Sequence, residues 1–143
     1  MHNGAAIVLM IALALGLAGR PADGSSVQAR RLDARIGRPN PDLYRSIRDA
    51  KDWENPYLVI HRDGIEGVVK RAVGRRTVAA ADLERMLIEL PITAWPYGRV
   101  VAVQEIGIRA GDGSDDKPVA DNLRAALAIL KELDVIADRW PTG

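Results

Sequence analysis

The sequence predicts an α+β fold: a small four-stranded mixed sheet built as β-hairpin, α, β, α, β, with the helices on one face and an extra short helix in front. Three observations carry this expectation. An Asp63-Gly64 pair stands between two β-favouring runs, Tyr57 to His61 and Ile65 to Val73, which is a strong hairpin signal. Apolar residues then recur at helical spacing in two later stretches, Leu83/Met86/Leu87/Leu90 and Val119/Leu123/Ala126/Leu127/Leu130. Between them Val100 to Val103 is apolar at every position, as in a central strand covered on both faces.

Taken in order, residues 5 to 19 are uninterrupted in their apolar character. Fifteen residues suit the apolar core of a signal peptide better than a full membrane span, which needs about 20. Gly16 and Ala18 are spaced for cleavage after Ala18. No Lys or Arg precedes the run and Arg20 follows it, an order that suits a short anchor instead. Residues 1–19 are thus read as a signal peptide or short membrane anchor. Residues 20–39, rich in Gly, Ser, Pro and Arg, read as a linker, and 40–143 as a single domain. The expected location is periplasmic or secreted, either free or membrane-anchored.

Asn40-Pro41 opens the extra helix, with Leu43, Ile47 and Ala50 as its stripe and Asn55-Pro56 as its end. The hairpin follows, with Gly67 a candidate bulge in the return strand. Gly74-Arg75-Arg76 reads as a turn, and Thr77 as the cap of the Leu83 helix, which Pro91 closes. After the Val100 strand, Arg109 to Asp116 reads as an acidic loop. Asp116 and Pro118 start the second long helix, Asp134 stands at its exit, and Val135 to Trp140 forms the last strand. Right-handed crossovers make at least one strand pair parallel.

The chain has no cysteine, which removes disulfides, cysteine catalysis and thiolate metal sites. With two histidines, one of them His2, a His-rich metal site is not available. No P-loop, dinucleotide fingerprint or Gly-x-Ser-x-Gly elbow occurs, so no cofactor and no catalytic residue are assigned. Asp112 to Asp116 does not follow the spacing of a calcium loop. Net charge is +1, with 13 Lys/Arg against 8 Asp/Glu over residues 20–76 and 7 against 11 thereafter. Such a balance names no nucleic-acid partner, and the membrane enters only through the N-terminal segment.

Polar and aromatic residues concentrate around the central strand. Trp95, Tyr97, Arg99, Gln104 and Glu105 form the candidate interaction surface, because Trp, Tyr and Arg dominate interface hot spots. The competing reading buries Trp95 and Tyr97 at the core edge and brings Gln104 and Glu105 out at the sheet rim. The expected function is an exported or tethered module that binds another protein or itself. The alternative is a small hydrolase or transferase with Glu105 or His61 as general base.

Two resemblances add to this. Gly64, the return strand, then Gly74-Arg75-Arg76-Thr77-Val78 leading to Asp82-Leu83-Glu84 resembles the periplasmic domain of the ExbD/TolR family, across residues 57 to 140. That resemblance implies an accessory subunit of an energy-coupling complex. The apolar N-terminal segment lacks the Asp that would carry proton coupling there. The block Ala94-Trp95-Pro96-Tyr97-Gly98-Arg99-Val100-Val101 is similar to one in small bacterial proteins of unknown function, which implies no chemistry.

Overall fold

The computed structural model describes residues 32–72, 74–106 and 117–141. Its strands are β1 (Tyr57–Ile60), β2 (Ile65–Val69), β3 (Gly74–Val78), β4 (Val100–Glu105) and β5 (Ile136–Arg139). Its long helices are α1 (Ala80–Glu89) and α2 (Lys117–Glu132). The fold is α+β, and the strands form one mixed sheet in the order β3-β2-β1-β4-β5. β1–β2 and β2–β3 pair antiparallel, β1–β4 and β4–β5 parallel.

The sheet has five strands where four were expected. The return run stops at Val69, and Gly74, whose φ of 70° suits glycine, starts a further strand paired with β2. Gly74-Arg75-Arg76 is therefore an edge strand and not a turn. An edge leaves its Arg side chains in water, so charge is tolerated there. Thr77 lies within this strand and caps nothing. Ala79 occupies the N-cap position of α1 and offers no side-chain bond. Gly67 is no bulge either, since the register runs unbroken through Leu58, Gly67 and Arg76. Its missing side chain makes room for Met86, whose Cε lies 2.6 Å from where a Cβ would sit.

The extra helix also differs. Asn40 caps a three-residue 3₁₀ turn, Pro41–Leu43, and Asp49 caps a second, Ala50–Asp52. Two caps nine residues apart, each drawing the chain into a fresh turn, leave no continuous helix between them. Leu43 consequently stays 51% exposed while Ile47 and Ala50 pack inward.

Both faces of the sheet are covered. On one, α1 and α2 bring Leu83, Leu87, Val119, Ala126 and Leu130 against Leu58, Ile60, Ile65, Val101 and Val103. On the other, the 3₁₀ segment sets Tyr44 and Trp53 against Tyr57, Tyr97, Val100 and Ala102. Val100 to Val103 are fully buried, alternating between the two cores, as the doubly covered strand requires. Residues 32–35, inside the stretch expected to be a linker, form a helical turn, and Leu32 and Ile36 belong to the helix-side core. Asp134 takes a left-handed φ of 56° at the α2 exit, and Val135 N–H donates to Leu130 O at 2.8 Å, closing the helix where Gly is more usual.

Candidate functional site

Trp95, Tyr97 and Arg99 approach β4 through a tight knot of main-chain contacts. Asn55, buried, donates from Nδ2 to Gly98 O and Val100 O and accepts at Oδ1 from Tyr97 N–H, each at 2.8 Å. Gly98 has φ 87°, and a Cβ there would stand 2.3 Å from Arg38 O. Residues 37–40 lie across it: Arg99 N–H donates to Gly37 O and Asn40 N–H to Tyr97 O. The Tyr97 hydroxyl accepts from Glu54 N–H at 3.0 Å and donates to Asp52 O at 3.3 Å.

The knot divides its side chains between two interiors. Trp95 enters the helix-side core and Tyr97 the aromatic one. Arg99 is 3% exposed and ion-paired to Asp33 and Asp134, which are themselves largely in water. These three side chains offer a partner almost no surface in this conformation.

Gln104 and Glu105 leave β4 on opposite faces. Gln104 accepts from the Tyr57 hydroxyl and donates to Pro141 O at 2.8 Å. Glu105 accepts from Arg139 at 2.9 Å. The five candidates are therefore not brought together on one patch.

The structure does gather a polar cluster on the aromatic face. His61 follows β1 and lies on the side of Tyr57 and Val59, and Glu66 stands on β2 opposite Val59. His61 Nε2 stands 3.3 Å from Glu66 Oε2 without hydrogen-bond alignment, and Glu66 also holds Arg75. Glu105 is separated from this pair by the sheet itself. Among the described residues no group of three or more His, Asp or Glu is placed to hold a metal. No described helix is long and apolar enough to cross a membrane, and residues 1–31 lie outside the description, as does the acidic loop within 107–116.

The sheet ends in two edges, β3 and β5. His61 N–H donates to Gly64 O, so alternate residues of β2, Glu66 and Val68, bond to β1. Ile65, Gly67 and Val69 then bond to Val78, Arg76 and Gly74, which turns the N–H and C=O of Arg75 and Thr77 outward. Ile136 N–H donates to Arg99 O and Trp140 N–H to Val103 O, so at the other edge Ala137 and Arg139 face outward.

Beside β3 runs a groove of about 390 Å³ between the strand and α1, lined by Arg76, Val78, Asp82, Arg85, Met86 and Glu89. Sequence reasoning missed this feature because it placed Arg76 in a turn. Comparison of the chain with family models, curated proteins and solved structures returned no match.

Proposed function

We propose that the chain is an exported or membrane-tethered interaction module that takes an extended segment of another protein, or of itself, along an open sheet edge. The observation supporting this is the outward-turned main chain of both edge strands, β3 and β5. Such edges template strand addition, in which main-chain hydrogen bonds supply affinity and flanking pockets supply selectivity. The test is a double variant, Thr77→Pro with Ala137→Pro. It removes one outward N–H from each edge and spares the bonds to β2 and β4. Purified from its source cells with its fold intact by circular dichroism, the variant is expected to lose the partner that the parent chain retains. Retention of that partner overturns the reading. Protease protection of the domain in intact spheroplasts would overturn the exported location.

A second reading, a small hydrolase or transferase with His61 as general base, draws on the 3.3 Å approach of Glu66 to His61 Nε2. A panel of activated esters and phosphoesters tests it. Turnover abolished by His61→Gln supports it, and equal rates for parent and variant remove it.

A further inference from the structure

The open edge of β5 carries an inference about which partner the module takes, and it rests on the strand-addition reading above. This edge turns the main chain of Ala137 and Arg139 outward, and Ile136 beside them is 53% exposed. Ile136, Asp138 and Trp140 project on the aromatic face, since Ile136 pairs with Val100 and Asp138 with Ala102. Two clefts flank these residues. One, of about 390 Å³, is lined by Ile136, Arg38, Pro39, Arg99 and Asp134. The other, of about 320 Å³, sets Asp138 and Trp140 beside Ile47 and Arg48.

Each cleft holds one charge left over. Arg99 is already held by Asp33 and Asp134, whereas Arg38 makes no ion pair or side-chain hydrogen bond among the described residues. Asp138 accepts from Trp140 Nε1 at 3.2 Å and is in no ion pair among the described residues.

A twofold axis at Ala137 would pair β5 antiparallel with a second β5 and set Ile136 opposite the copy's Asp138. Opposed Cβ atoms lie about 4.5–5.5 Å apart, which brings that carboxylate up to Ile136 at the mouth of the Arg38 cleft. The two Asp138 residues are then only diagonal neighbours, about 7–8 Å apart. The other centres are disfavoured by like charges directly opposed. An axis at Ile136 sets Asp138 against Asp134, one at Asp138 sets it against itself, and one at Arg139 does the same for the arginine. β3 is the poorer edge for a copy, because it offers Arg75 and Arg76 and no acid.

We propose that the chain forms a twofold dimer by antiparallel pairing of β5, with Ala137 opposite Ala137 and the Arg38 of each copy taking the Asp138 of the other. The Ala137 main chain exchanges both ladder bonds about the axis, and the two sheets continue as one.

The test is the molecular mass of the full chain in zwitterionic detergent by sedimentation, with each variant checked for its fold by circular dichroism. A dimer is expected, with amide exchange at Ala137 and Arg139 slowing as concentration rises. Ala137→Pro is expected to give monomer. Arg38→Asp and Asp138→Lys are each expected to weaken the dimer about tenfold. An equal mixture of these two variants is expected to recover it, because every mixed dimer again holds two pairs of opposite charge. Monomer at every concentration up to about 1 mM, a dimer indifferent to Ala137→Pro, no recovery in the mixture, or growth into longer assemblies would each overturn self-pairing through β5. If the parent chain is monomeric while the Thr77→Pro, Ala137→Pro variant still loses its cellular partner, the interaction module stands and only the second copy as its partner falls.

Discussion

Gly98 admits no ordinary replacement, because a positive φ and the Arg38 carbonyl both exclude a side chain. Gly98→Ala is expected to cost roughly 3 kcal/mol, combining left-handed strain with overpacking, read as a lowered urea midpoint at unchanged slope. Asn55→Ala strands the Val100 carbonyl and the Tyr97 N–H in the interior, while Gly98 O keeps its bond from Val100 N–H, and is expected to cost about 3 kcal/mol as well. A variant with parent stability would show that water replaces the amide. Trp95→Ala should destabilise by about 3–5 kcal/mol, so any loss of binding would accompany unfolding and say nothing of a contact surface. At this scale the sequence marks which residues are unusual and hides why. Asn55 reads as a helix end, yet its role depends on a strand more than forty residues later.

At the level of elements, the doubly covered β4 was legible from unbroken apolarity, and α1 and α2 from their period. β3 was not, because Gly-Arg-Arg-Thr-Val carries no strand signal until β2 supplies a ladder for it. The 3₁₀ layer was misjudged as a helix for a related reason: its aromatics follow the sheet beneath them and no helical stripe. Burial in that layer raises the phenol pKa of Tyr44, Tyr57 and Tyr97 above the ordinary value. Asp138 and Glu66 add to the shifts of Tyr44 and Tyr57, and the Glu54 backbone bond opposes that of Tyr97. The unfolded chain, with phenols at about 10, loses these protons first. The layer's contribution is thus fully present below that pH and is lost as pH rises through the folded values. Urea midpoints should fall steeply above about pH 10 together with the appearance of tyrosinate absorbance. Tyrosines that ionise at the ordinary pH, with no loss of stability, would show the layer to be loose.

For the molecule as a whole, the N-terminal strap joins sites far apart in the chain. Leu32 and Ile36 fill the helix-side core, Arg35 donates to Ile88 O and Leu90 O at the end of α1, and Asp33 pairs with Arg99. Leu32→Ala is expected to cost about 3 kcal/mol in thermal or urea unfolding, as a buried leucine does, whereas a true linker residue would cost nothing measurable. What the sequence by itself determined was the α+β class, the hairpin, both long helices and the central strand. Each of these follows from a local period or turn chemistry that neighbouring residues enforce. Only the tertiary structure decided the fifth strand, the second core and the burial of Trp95, Tyr97 and Arg99. It alone set Arg76 on an edge strand of the described sheet. Those outcomes depend on partners distant in sequence, and an edge strand or a buried cation has no meaning until the sheet that defines it is assembled.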